Sequence, residues 1–198
     1  MRGRTAAGLL AGLALVLLLA FSGFGRARTY STLGMEQRRD VSALPAHPEV
    51  PKSPDLVIER YAVISAKPER IYELLTNAQR WADWDHGITR VAVPARRPLM
   101  VGDVFTKVEM GIRVEAQVLE AERGQLLRWR GKAPMKVVGV HSYQLVPIDS
   151  KHTLVVNREE FSNDALRLFG WATDFGLGKR FERTLEGLKA AAESAPRS

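Results

Sequence analysis

Three patterns of apolar and polar positions follow one another along the chain. Thr5–Gly25 is a run of 21 residues without a charge. Residues 26–54 show no amphipathic period, and prolines fall at 45, 48, 51 and 54. From Asp55 the pattern is that of a folded domain. Leu56–Ser65 is rich in β-branched and aromatic residues and predicts a strand. Lys67-Pro68-Glu69 opens a helix over Pro68–Asn77, with proline suited to the first turn and Glu69 to the positive end of the dipole. Ile71, Leu74 and Leu75 give it one apolar face. A second short helix is expected over Ala78–Trp84. Period two then takes over, with strands at Ile88–Val93, Asp103–Met110, Arg113–Ala121, Leu126–Gly131, Lys136–Pro147 and Thr153–Phe161. Their short connections favour an antiparallel meander. A long helical pattern, Asp164–Ser194, closes the chain, with Leu166, Phe169, Phe181, Leu185 and Leu188 at its apolar positions. Glycine weakens a helix interior, so a kink or break is expected near Gly176–Gly178.

The order is strand, two short helices, six strands and a long helix, an α+β domain. One helix does not by itself fill the concave side of a seven-stranded sheet that curls around it. A cavity between the two is a plausible consequence.

The N-terminal run, as a helix, would be ~31 Å long, close to the ~30 Å hydrocarbon core of a bilayer. It is expected to be an uncleaved transmembrane anchor, with a cleaved signal as the alternative, since Ala20-Phe21-Ser22 offers a small-x-small site. Residues 1–28 are thus read as anchor or signal, 29–54 as a proline-containing linker, and 55–198 as the domain. The short stretch before the run favours the domain on the non-cytoplasmic side. Signal cleavage would leave it secreted or periplasmic. Prolines spaced by three favour a polyproline II spacer or surface strap.

Composition sharpens this picture by exclusion. Without cysteine there is no disulfide, thiolate nucleophile or cysteine metal site. The formal charge of +7 includes +4 from Arg2, Arg4, Arg26 and Arg28 beside the apolar run, and the domain carries only +3. No basic block with interleaved aromatics points to nucleic acid. Asp83, Asp85 and His86 do not make a convincing metal site, and Gly176-Leu-Gly178-Lys179 lacks the spacing of a phosphate loop. No metal and no cofactor is expected. Arg167, Lys179, Arg180, Arg183 and Lys189 are read as a solvated face of the last helix.

Residues 64–71 (ISAKPERI), with Leu74-Leu75-Thr76-Asn77 and Trp84, resemble the opening signature of START-like (SRPBCC) proteins. Gly102–Phe105, Trp129-Arg130-Gly131, Val140-His141, Thr153 and Glu159-Glu160-Phe161 resemble the spine of their polyketide cyclase/dehydrase-like branch. The likeness runs from about Leu56 to Glu193. Where that branch usually has glycine after the acidic-aromatic motif, this chain has Asn163. The resemblance implies the helix-grip fold: a seven-stranded antiparallel sheet wrapped around a long C-terminal helix over an apolar pocket. It also implies ligands such as lipids, sterols or polyketides, and in some members cyclisation or dehydration.

Residues of one parity share a face of a strand. Both faces of the last strand carry apolar side chains. The face of Glu159 is taken as inward because Phe161 and the family spine point there. The candidate ligand-binding set is Trp129, His141, Tyr143, Val155, Asn157, Glu159 and Phe161. His141 and Glu159 are the candidate acid–base pair. An outward Glu159, bridged to Arg128 or Arg158, is the competing placement. Trp81 and Trp84 are read as anchors of the short helices. The functional reading is a membrane-tethered protein that binds or transfers a lipid-like or other apolar small molecule. A cyclase or dehydratase using His141 and Glu159 is the alternative, and an envelope interaction module without a ligand is the third. No protein partner can be named.

Overall fold

The computed structural model describes residues 56–134, 137–162 and 170–194, and in the last helix the side chains from residue 176 onward. The anchor or signal segment, the linker and Asn163 lie outside the described residues. The elements are β1 (Leu56–Ile64), α1 (Pro68–Thr76), a 3-10 helix (Ala78–Asp83), β2 (Ile88–Ala92), β3 (Val104–Glu109), β4 (Ile112–Glu122), β5 (Leu126–Lys132), β6 (Val138–Pro147), β7 (Thr153–Ser162) and α2 (Gly170–Glu193).

The seven strands form one antiparallel sheet in the order β1-β7-β6-β5-β4-β3-β2. From β2 to β7 each strand pairs with the next, as the short turns require. Met110 and Gly111, both at positive φ (51° and 79°), make the β3–β4 turn. Two positive-φ residues in a two-residue hairpin match the strand twist. α1 and the 3-10 helix carry the chain from one edge strand, β1, to the other, β2.

α2 packs on the same face of the sheet as α1. Phe181, Leu185, Leu188 and Ala192, spaced by four, three and four, are all buried. Leu185 and Leu188 join Ile71, Leu75, Trp81, Phe105, Val118, Trp129 and Val155 in the main core. α2 is tied to β1 by Arg60 Nε to Glu182 (3.2 Å), and Lys189 Nζ donates to the Val63 carbonyl (2.7 Å).

Two expectations need correction. The second short helix is 3-10 rather than α and stops at Asp83. α2 runs unbroken through Gly176 and Gly178. These glycines are not breaks. A Cβ at Gly178 would overlap the Arg60 guanidinium, and one at Gly187 would overlap the Trp84 carbonyl oxygen. The glycine at Gly178 lets the helix lie close on β1, and a continuous helix absorbs the propensity cost through packing.

The outer face of the sheet also buries apolar groups. Leu154 and Val156 pack with Tyr61 and Val146 there. This is why alternation alone could not tell inside from outside on β7.

Candidate functional site

The inward face is fixed by strand register. Trp129 lies opposite His141, His141 opposite Glu159, Tyr143 opposite Asn157, Leu145 opposite Val155, and Gly139 opposite Phe161. All of the candidate residues therefore share one face, and it is the face that meets α2. His141 stacks on Phe181 of α2 at 5.2 Å between ring centroids, and Trp129 packs with Leu185 and Leu188. Glu159 is turned inward. The arginines that could have drawn it outward are engaged elsewhere: Arg128 with Glu120, and Arg158 with Glu59 and Glu160. Gly139 makes the room, because a Cβ there would stand 2.7 Å from Glu159 Oε1.

The set divides along the strands. Trp129, His141, Tyr143, Asn157 and Glu159 form one cluster. Val155 belongs to the apolar core beside Leu145, and Phe161 sits at the other end with Ile58 and Phe181.

His141 is the centre. Its ring is stacked on Trp129 (4.6 Å), Tyr143 (5.0 Å) and Phe181. Its Nε2 donates to Asn157 Oδ1 at 2.6 Å, and Nδ1 stands 3.3 Å from Glu159 Oε2 without a hydrogen bond. Each ring nitrogen thus faces an oxygen. A proton placed between Nδ1 and Glu159 can sit on either group, which makes the two a potential acid–base couple.

A charged cluster adjoins this ring. Arg180 of α2 reaches Asp85 (2.5 Å) and Glu109 (2.9 Å), and also donates to Thr184 Oγ1. Lys107 pairs with Glu109 at 2.6 Å and lies over the Trp129 ring, 5.5 Å from its centroid. Burial disfavours the Glu109 carboxylate, but Lys107 and Arg180 outweigh it and hold its pKa at about 2. Burial likewise opposes the Lys107 and Arg180 charges. Glu109 and Glu159 outweigh it at Lys107, and Glu109 and Asp85 at Arg180, so both cations lie above their ordinary range. Burial pushes the Tyr143 hydroxyl well above its ordinary value, with Asp85 adding to the effect. Lys107 and Arg180 thus face Asp85, Glu109 and Glu159 around the His141 ring.

The expectation of a ready-made cavity is not met among the described residues. The space bounded by Trp81, Trp84, Trp129, His141, Tyr143 and Phe181 measures about 10 Å³, room for about one water molecule. Large rings and the ion-paired Lys107 and Arg180 fill the concavity that a purely apolar helix would have left. Yet the filling is imperfect in its hydrogen bonds. Trp84 Nε1, Asn157 Nδ2, Arg180 Nε and His141 Nδ1 are all buried without a hydrogen-bond partner among the described residues. Each such group costs about 1–3 kcal/mol. Trp81, by contrast, is anchored as expected, its Nε1 donating to the Leu75 carbonyl at 2.8 Å.

With this geometry in place, comparison with known proteins decides the family. A family model described as polyketide cyclase / dehydrase and lipid transport matches residues 56–193. The chain belongs to this family. Solved structures agree on the fold of a polyketide cyclase/dehydrase and lipid transport domain. A hypothetical protein of Helicobacter pylori has a TM-score of 0.65 at 17% identity, over 76% of this chain and 100% of that one. The Zhui aromatase/cyclase of Streptomyces sp. R1128 has a TM-score of 0.57 at 16% identity, over 72% and 96%. A START superfamily protein of Mycobacterium smegmatis has a TM-score of 0.54 at 12% identity, over 69% and 97%. At these identities the likeness speaks for the helix-grip fold and not for an activity. No curated protein matches the chain.

Within this family fold, sequence reading missed the charged cluster. Arg180 had been assigned to a solvated helix face and is 6% exposed. The available signal was its position four residues before Thr184 and one before Phe181, at the margin of the buried stripe. Lys107 and Glu109 share the parity of buried Phe105, which marks them as inward. Asp85, considered as a metal ligand, is instead turned to Arg180, and Asp83 to Arg80 (2.8 Å).

Proposed function

We propose that this chain binds and transfers an uncharged apolar small molecule, which enters between α2 and the concave face of the sheet. The observation that carries the reading is the surroundings of His141. Three aromatic rings enclose it, and four buried polar atoms on and around it lack partners. A guest that brings a carbonyl or hydroxyl oxygen among apolar atoms would meet both needs at once. The family's link to lipid transport supports the same class of ligand. Because the enclosed space is about 10 Å³, binding is coupled to opening of the helix–sheet contact. The apolar run Thr5–Gly25 would tether the domain to a membrane, on its non-cytoplasmic side, or release it as an exported protein after cleavage.

Native mass spectrometry of the gently purified full chain, followed by solvent extraction, tests this. A co-purified lipid-sized mass is the expected result. No bound mass, together with no uptake of an apolar dye, would overturn it.

A second reading, a cyclase or dehydratase, is favoured by one distance: 3.3 Å between His141 Nδ1 and Glu159 Oε2. In that reading His141→Ala abolishes turnover. In the carrier reading it only changes affinity. The third, an interaction module without a ligand, draws its support from the nearly filled interior.

A further inference from the structure

A groove of about 570 Å³ lies outside the core, between α1, the 3-10 helix and the C-terminal half of α2. Its size falls within the ~300–1,000 Å³ of small-molecule sites. Gly187, Ala190 and Ala191 line it on the α2 side with small residues, while Leu74 and Pro98 add apolar surface. The rest of the lining is polar: Arg70 and Arg80 are matched in number by Glu73 and Asp83, with Asn77, His86 and Ser194 beside them.

One residue belongs to both spaces. Trp84 lines this groove and also the small interior space beside His141. Trp84 is thus the residue at which the two spaces meet, its carbonyl against Gly187 on the groove side. The side chain is buried, yet its Nε1 has no hydrogen-bond partner, whereas the neighbouring Trp81 is tied to the Leu75 carbonyl. Swinging the Trp84 ring therefore breaks no hydrogen bond, and swinging Trp81 breaks one. The Trp84 backbone is held in place. Its N–H donates to the Trp81 carbonyl at 3.1 Å, and its own carbonyl packs so closely on Gly187 that a Cβ there would overlap it. The ring packs at the edge of the main core, so moving it costs apolar contacts but no hydrogen bond, while the backbone stays in place.

We propose that the groove is an outer subsite for the guest of the interior, and that Trp84 is the gate between the two. The proposal rests on the ligand-binding reading above. The guest it fits is a flat, uncharged ring system with polar substituents, including a carbonyl oxygen that accepts from the Trp84 N–H during passage. The charge-balanced lining gives an ion no advantage, and the small residues of α2 admit a ring system.

The test uses the full chain in lipid nanodiscs and the hydroxy-ketone 2-acetyl-1-naphthol, with quenching of tryptophan emission followed by stopped flow. Empty nanodiscs give the correction for probe in the bilayer. The chain has no cysteine, so a single Ala190→Cys can be capped with N-ethylmaleimide to fill the groove without side reactions. Capping is expected to slow association about tenfold, and Trp84→Ala to speed both association and release about tenfold with a smaller change in affinity. If Trp84→Ala does not fold, Trp84→Phe, which keeps a smaller ring and loses the N–H, should show the same change to a lesser degree. Quenching at wild-type rates in the capped and the Trp84 variants would overturn the gate and leave interior binding standing. No quenching by saturating probe in the wild-type chain would overturn both.

Discussion

The two halves of the helix–sheet interface are built on opposite principles. Around Leu75, Phe105, Val118, Leu185 and Leu188 the contact is apolar and closely packed, with exposures of 0–3%. Around His141 the same face carries Lys107, Glu109, Asp85, Arg180 and Glu159, with unpartnered polar atoms between them. Apolar packing costs little to specify and holds the helix in place. Buried ion pairs roughly balance desolvation against attraction and add little net stability. A fold that needed only stability would have continued the leucines. The polar half is therefore where function is to be sought, since local departures from consistent packing gather at such sites.

The contrast can be broken most severely at Arg180. Arg180→Met leaves Asp85 without its partner and Glu109 with Lys107 alone, and should cost about 3–5 kcal/mol in urea unfolding. Adding Asp85→Asn should recover part of that loss, because the stranded charge goes. Recovery would separate the penalty of an unpaired charge from loss of packing.

In the apolar half, Leu188→Ala should cost about 3 kcal/mol through a cavity. It should do so equally at pH 7 and pH 4, since no charge lies at the change.

Within the helix–sheet interface, acid acts on the polar half. Glu109 is held at about 2 against an ordinary 4.5. Its folded pKa is depressed, so its contribution is complete above the ordinary value and is lost as pH falls from 4.5 toward 2. The loss is on the order of 3 kcal/mol. Stability curves of wild type and Glu109→Gln should therefore converge as the pH drops through that window. Parallel curves would show that the carboxylate is not held by Lys107 and Arg180.

The smallest effect is expected outside both halves. Arg80 and Asp83 are 60% and 57% exposed in their side chains, and Arg80→Ala should change stability by less than about 0.5 kcal/mol.

The same contrast explains what could be read without coordinates. Strand positions came through because Leu127 and Trp129, His141, Tyr143 and Leu145, and Val155 and Asn157 alternate within their own strands, and turns such as Met110-Gly111 punctuate them. Placing Glu159 inward took more than alternation, since Leu154 and Val156 are buried on the outer face too. Charge positions were misleading because Arg180 and Lys107 have side chains that serve equally on a surface. Arg180 has its partners Asp85 and Glu109 far away in sequence, so no local spacing ties it to them, whereas Lys107 and Glu109 share a strand face. The amount of free space was not legible at all. It depends on how Trp81, Trp129 and Phe181 interlock, and a periodicity carries no volumes. Gly178 and Gly187 were read as helix breakers or passed over, because only the approach of Arg60 and Trp84 shows why glycine stands there.

The most direct test of ligand entry beneath α2 is nuclear magnetic resonance of the full chain in nanodiscs, titrated with its own solvent extract or with 2-acetyl-1-naphthol. The Trp129 indole N–H and the His141 ring signals should move together and saturate, while the ring of His152, in the exposed β6–β7 turn, stays near its free position. Signals of Trp129 and His141 that remain unchanged at saturation would contradict the account.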